Sequence, residues 1–435
     1  MNTTQKDHEG RVIGRYAGLQ ERRAFKNVRV IVGAGVGGGS LHYSCVTGMQ
    51  TRDAMRTVLP QINYDEMESK YYPRARSVLK ASPVPQDILK TDYYAGTRVF
   101  LQQAATAGLP HQLVDLAVDW DIVREELSGK RKPSIIIGEV HYGTNSGAKR
   151  SLDTNYLAAA EKTGVVSIMP LHTVLSVEEV PGHGYRLECH ETNDTGEVLR
   201  TKSIVCKHLF LAAGSLGTTG LLLKAKAENT LSRLNDDVGR HWGQNGIHFA
   251  MRHSPEPINP MYGGPAGGRI DVFDSPHGPI SIENFPGAPD DPLGQTFTMA
   301  VTIPGRLGTV RYDKATKDID VDWPASDPAN LRGRQAQKYV HAILDERNKV
   351  TPAQIEPLQA ESPDGLVDRT SHPLGGVVLG RACDWYGRVV GHSGLYVVDG
   401  ALLPGCTGTM NPSLPIAAFA ERAMENVMPE ILARR

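Results

Sequence analysis

The sequence has few of the features that tie a chain to an oxidising compartment, a membrane or a polyanion. Its five cysteines (Cys45, Cys189, Cys206, Cys383, Cys406) are odd in number and far apart, with no C-x-x-C pair. That spacing suggests neither a disulfide framework nor a zinc site, and buried free thiols are the reading. No apolar run approaches the roughly 20 residues that a spanning helix needs. The stretch from Met1 to Arg11 is polar and lacks the apolar core of a secretory signal. The expectation is a cytoplasmic chain with no transmembrane segment, for which transient membrane contact stays open. Lys and Arg number 47 against 48 Asp and Glu, a net charge of -1, and no block of like charge marks a nucleic-acid arm. There is no internal repeat, and no metal site is expected.

What is present is a globular composition rich in turns: 435 residues, 40% hydrophobic and 22% charged, with 45 Gly and 28 Pro. The length allows two or three domains or one large two-part body. Val28 to Val32 is a β-branched run that ends at Gly33-Ala34-Gly35-Val36-Gly37-Gly38-Gly39-Ser40, a strand followed by a phosphate-type turn. Residues 52–84 and 93–107 read as helical, and 151–163 as a further helix. Ile135 to Ile137 reads as a short buried strand. Strands over 165–169, 172–180 and 185–191 suggest an antiparallel meander.

The run from Ser203 to Ala213 ends at Ala212-Ala213-Gly214-Ser215-Leu216-Gly217 and opens an apolar helix over 218–227, a second strand, small-residue turn and helix. Residues 251–295 are dense in Pro and Gly, an irregular segment or several short strands. Alternation over 296–303, 309–312 and 319–323 predicts sheet, and helices are expected over 336–347 and 416–432.

Gly33, Gly35 and Gly38 satisfy G-x-G-x-x-G, and Asp53 lies 20 residues after Gly33. The nicotinamide reading this suggests needs a second apolar strand ending at the acid, and Cys45 to Gly48 is not one. What remains is physical: glycines and a serine let backbone N–H groups approach an anion or a flat ring at the start of a helix. The other concentration is C-terminal. His372 opens His-Pro-Leu-Gly-Gly and Asn411 opens Asn-Pro-Ser-Leu, each beside a proline that fixes the local backbone. Between them Val397-Val398-Asp399-Gly400 is an apolar strand ending in an acid, at the kind of sheet edge where cofactors bind.

Taken together, Gly33 to Ser40, Ala212 to Gly217, His372 to Gly376, Leu395 to Gly400 and Asn411-Pro412 resemble the glucose-methanol-choline (GMC) oxidoreductases. The resemblance is closest to their cholesterol oxidase type, through Asp384 to Val389 and Ser151 to Tyr156, and runs from about Tyr16 to the C-terminus. It implies an α/β flavoprotein with an α+β substrate part: an FAD/NAD(P)-binding-type body, N-terminally truncated, with an inserted antiparallel-sheet substrate domain. The FAD-binding body would take residues 16–52, 150–245 and 385–435, and the substrate part 53–149 and 246–384, after a polar segment over 1–15. The cofactor implied is FAD. The substrate implied is a secondary hydroxyl on a bulky apolar alcohol of sterol type, with hydride transfer to flavin and, at the finest level, steroid double-bond isomerisation.

Carried over by motif, His372 corresponds to the catalytic histidine and Asn411 to its partner. Glu283, in Ile280-Ser281-Ile282-Glu283-Asn284-Phe285, corresponds to a carboxylate that moves a proton between steroid carbons. Gly38, Gly39, Ser40, Tyr43, Ser44, Val174, Gly214, Asp399 and Gly400 would contact the flavin. The family opens with a dinucleotide-binding βαβ unit upstream of the first motif here, and this chain is expected to lack it. After Ser40 the chain also has Leu-His-Tyr-Ser-Cys where the cholesterol oxidase type has an asparagine and glycines. Two alternatives follow: a non-catalytic remnant that binds no FAD, and a nicotinamide-dependent dehydrogenase built on Gly33 to Gly38. No nucleic-acid partner is expected, and the oligomeric state stays open.

Overall fold

Val28 and Val30 are buried while Arg29 between them is exposed, the period-two pattern of a strand with one face on a core. In the computed structural model, which describes residues 3–6, 12–16, 19–253, 258, 263–264, 266–285, 295–352, 361–362 and 365–433, this strand spans Val28–Gly33. It pairs antiparallel with Gln20–Ala24 and parallel with Asp368–Thr370. The parallel partner matters for function, because it places the segment leading to His372 beside the glycine-rich turn that follows Gly33. A second parallel pair joins Leu209–Leu211 to Leu395–Val397, and no further strand is hydrogen-bonded to this pair among the described residues. The first strand of the pair feeds the helix Gly214–Ala227, and the second ends two residues before Asp399.

The largest sheet among the described residues has five antiparallel strands, in the order Ile247–His253, Gln295–Thr302, Ile280–Phe285, Gly268–Val272 and His111–Leu113. One face carries Ile270, Val272, Ile280, Ile282 and Ala300 against Phe100 and Ala104 of the helix Ala95–Thr106 and Ala336, Val340 and Leu344 of the helix Pro328–Asn348. The Pro328 helix starts where its sequence says it should: Asp327 accepts a hydrogen bond from the Ala329 N–H at 2.9 Å, and Pro328 fills the first turn. Because strand side chains alternate, the opposite face carries Gln112, Arg269, Asp271, Ser281, Glu283, Phe285, Phe297, Met299 and Phe249. That second face looks toward the body containing the glycine-rich turn, and Phe285 stacks on His141 at 6.1 Å between ring centroids.

The C-terminal helix Ser413–Ala433 buries Leu414, Ala418, Val427 and Ile431 along one stripe. No helix among the described residues is long and apolar enough to cross a membrane.

Several expectations change. Residues 165–169 form no strand: Val165 is 88% exposed, and Val166, Met169 and Leu171 are exposed beside it. Their β-branched character is local, and a strand needs a partner that the described residues do not supply. The meander is built instead from His172–Val180, Gly184–Thr192 and Val198–Cys206. Ile135 to Ile137 is a turn and not a strand, because the buried Glu126 carboxylate collects the N–H groups of Ser134 at 3.0 Å and Ile136 at 3.2 Å. Asp53 heads the helix Arg52–Val58 after the Thr51 cap and does not end a strand, so the G-x-G-x-x-G match has no ribose-binding acid at its expected place. The Pro/Gly-rich stretch 251–295 contains strands, while 254–257, 259–262, 265 and 286–294 lie outside the described residues.

Candidate active site

The turn after Gly33 folds back on itself so closely that a Cβ at Gly33 would meet the Gly38 backbone at 2.3 Å. Gly38, with φ +55°, and Gly39 instead face open space, so a flat group can lie directly on their backbone. Ser40 does not reach outward: its hydroxyl donates to Gly37 O at 2.7 Å and accepts from the Leu152 N–H at 2.8 Å. Tyr43 likewise points inward, its phenol donating to Arg150 O at 2.9 Å. Ser44 lies half-buried in the same loop. Beneath it Lys149 is buried, with Nζ donating to Leu41 O at 2.9 Å, to Tyr43 O at 3.1 Å and to Val140 O. Three carbonyl contacts from one ammonium fix the 40–45 loop, and no sequence motif had pointed to Lys149. Cys45 is buried there, its thiol pushed up to about 12 by burial, so it is an inert space-filling thiol.

Asp399 ties the turn after Leu211 together. Its Oδ2 accepts from the Gly214 N–H at 2.9 Å and from the Thr218 hydroxyl, and its Oδ1 accepts from the Ala401 N–H at 2.8 Å. Burial nevertheless lifts it to about 6. Gly214, at φ +76°, has open space where a side chain would be. The Gly400 carbonyl accepts from the Gly375 N–H at 2.9 Å, which joins this turn to the His372 segment. Val174 sits apart, half-buried on the meander opposite Cys189; its neighbour Leu175 accepts a hydrogen bond from Lys224 of the Gly214 helix at 2.7 Å.

The three residues named for chemistry converge. Glu283, 1% exposed in the middle strand of the five-stranded sheet, accepts a hydrogen bond from Asn411 Nδ2 at 3.1 Å. Burial raises the Glu283 carboxyl to about 7, against the opposing pull of Arg269 and the Asn411 hydrogen bond. Asn411 is 4% exposed, and its Oδ1 has no partner among the described residues. A buried acceptor of this kind awaits a donor, and a bound hydroxyl is one.

His372 joins the group through Asn245, a residue the sequence reading missed. Asn245 is fully buried; its Oδ1 accepts from the Thr407 N–H at 2.8 Å, and its Nδ2 donates to Met410 O at 2.8 Å. These two backbone groups allow only one orientation of the amide, so the group facing His372 Nδ1 at 3.3 Å is an N–H donor. Nδ1 is therefore an acceptor, and the ring proton sits on Nε2. Burial and the charge of His42 push the imidazole down to about 3, so it is neutral at physiological pH. The His372 N–H is itself held by Thr370 Oγ1 at 2.8 Å. The expected role of His372 narrows accordingly: its neutral ring offers a proton at Nε2 and does not accept one there.

Comparison with known proteins agrees with this architecture. Residues 304–420 match the GMC oxidoreductase family in its C-terminal domain. The chain is 25% identical to a cholesterol oxidase of Mycobacterium tuberculosis over 93% of its own length and 80% of that protein. In fold it is similar to pyridoxine 4-oxidase from Mesorbium loti, with a TM-score of 0.68 at 14% identity, covering 95% of this chain and 89% of that one. An FAD-dependent oxidoreductase from Chaetomium thermophilum gives a TM-score of 0.65 at 13% identity, covering 92% and 87%.

Proposed function

On a chain that carries the C-terminal domain and the fold of the GMC oxidoreductases, we propose FAD-dependent oxidation of a secondary alcohol on a bulky apolar substrate of sterol type. The chain is an alcohol-oxidising oxidoreductase. The residues present fit FAD: Gly38, Gly39 and Gly214 leave their Cα surfaces open, and Asp399 braces the second turn with both carboxylate oxygens. When bound, the flavin supplies the hydride acceptor. The chain's own residues bind and deprotonate the alcohol. His372 Nε2–H points its proton at the carbinol oxygen and stabilises the charge that develops there. Asn411 Oδ1, the unpartnered acceptor, orients the hydroxyl hydrogen. As the bond to the carbinol oxygen breaks, that one hydrogen leaves its hydrogen bond to Asn411 Oδ1 and passes as a proton to the Glu283 carboxylate, which Asn411 Nδ2 holds; with an affinity near neutrality Glu283 can both accept and release it. The same carboxyl is suited to moving a proton between carbons in a following isomerisation.

The apolar body of the substrate lies along Phe249, Phe297 and Phe285, where Phe249 and Phe297 stack at 5.3 Å and Phe285 meets Phe297 edge-on at 6.2 Å. The observation that carries the reading is the hydrogen-bonded path His372–Asn245–Met410 leading to Asn411 and Glu283. Anaerobic addition of a 3-hydroxysterol to the FAD-loaded protein tests it. Bleaching of the flavin bands with appearance of the ketone is the expected result, and unchanged bands with every sterol offered would overturn it.

A further inference from the structure

Arg269 and Glu283 stand directly opposite one another on adjacent antiparallel strands, Gly268–Val272 and Ile280–Phe285, so both side chains rise from the sheet face opposite the helices about 5 Å apart at their base. The Arg269 side chain is 11% exposed. Its Nε is paired with Asp271 at 3.0 Å, and its Nη1 rests on Met410 Sδ at 3.1 Å, one residue before Asn411. A thioether is a weak acceptor, so that end of the guanidinium is not committed to an anion. Asp271 is in turn fixed by the Ser281 hydroxyl at 2.6 Å and by Gln112 Nε2 at 2.7 Å.

Among the described residues the surroundings of Glu283 are otherwise uncharged. The Gln295–Thr302 strand sets Met299 opposite it, the 410–411 segment brings Met410 and Asn411, and His372 beyond Asn245 is neutral. Among the described residues the charged groups acting on Glu283 are Arg269, which favours its ionised form, and Asp271, which opposes it. An enclosed carboxyl with no cation nearby holds its proton well above neutrality and accepts none.

We propose that Arg269 is a positioning residue for the proton chemistry of Glu283: its guanidinium, fixed by Asp271 and seated on Met410, is the cation against which the Glu283 carboxylate ionises. This rests on the reading that Glu283 takes the substrate proton. It adds that the Arg269–Asp271 pair on the neighbouring strand sets the pH range in which Glu283 does so.

Infrared titration of the purified chain tests this without turnover. The carboxyl signal of Glu283 is identified by its loss in Glu283→Gln. Arg269→Met should move its midpoint up by about one pH unit or more, and Arg269→Lys should bring it back toward the wild type. Asp271→Asn, which keeps the guanidinium, should move it down. The pH profile of sterol turnover should shift in the same directions, which a merely structural ion pair would not cause. A midpoint unchanged in Arg269→Met and in Asp271→Asn overturns the proposal. If the midpoints shift as stated while Glu283→Gln turns over normally, the relationship stands and the catalytic role given to Glu283 fails.

Discussion

Asn411 donates from Nδ2 to Oε2 of Glu283 at 3.1 Å, a contact that closes 128 positions of chain onto one point. It joins the C-terminal Asn-Pro segment to the middle strand of the five-stranded sheet, and so brings two parts of the fold together. The acceptor left over on Asn411 has no other partner among the described residues.

On the proposed function, removing His372 or Asn411 should affect turnover and not cofactor retention. His372→Ala and Asn411→Ala are each expected to raise the barrier by about 2 to 4 kcal/mol, the usual worth of one oriented contact to developing charge. Stopped-flow reduction of the bound flavin measures this directly. Wild-type rates in both variants would exclude these roles.

Asn245→Ala should cost stability as well as rate. It strips a partner from two buried backbone groups, the Thr407 N–H and the Met410 carbonyl. A loss of about 1 to 3 kcal/mol for a buried polar group left unpaired is expected in urea unfolding. The variant also frees His372 to place its proton on either nitrogen, so turnover should fall further than stability alone explains.

Glu283→Gln separates the charge of this group from its shape. Folding raises the carboxyl from 4.5 to about 7. Its contribution to stability is whole below pH 4.5 and is lost as pH rises through 7. A neutral amide has no such loss. The variant should match the wild type near pH 5 and exceed it near pH 9 by up to about 3 kcal/mol, since each tenfold change in proton affinity is worth about 1.4 kcal/mol. Denaturant midpoints at the two pH values check this, and a constant difference would contradict it.

Acid should weaken the fold over a defined window. Burial holds His42, His141 and His248 at about 4 and His341 and His372 at about 3, against an ordinary value of 6.5. Imidazoles depressed on folding contribute stability that is present above 6.5 and is lost as pH falls toward 4. Glu283 and Asp399 act in the opposite sense over part of the same range, but they are two groups against five. Urea midpoints should fall steeply from pH 7 to pH 4.5, and a flat or rising midpoint would contradict the account.

Much of the site was legible because its residues sit in short motifs whose backbone is fixed by Gly or Pro. The turn after Gly33, the Asp399-Gly400 turn, His372-Pro373 and Asn411-Pro412 could be singled out on that ground, and the roles proposed for them come from the family resemblance. Asn245 was not legible, since Gln244-Asn245-Gly246 reads as an ordinary turn and only its hydrogen bonds show that the amide bridges the His372 and 407–410 segments. Arg269 was hidden for a different reason. It lies in a Pro/Gly-rich stretch, and its meaning comes from strand register with Glu283, which sequence does not give. Val165 to Met169 shows the converse: strand-forming residues remained coil because pairing is a tertiary event and no partner strand is present among the described residues.

The proposed enzyme holds FAD against Gly38, Gly39 and Gly214 and passes an alcohol's hydride to it. Its most direct test is the visible spectrum of the purified protein after incubation with FAD and desalting, recorded before and after anaerobic addition of a 3-hydroxysterol. Flavin bands that survive desalting and bleach on adding the sterol are the predicted result. A colourless protein, or bands that persist unchanged with sterol, would contradict the account.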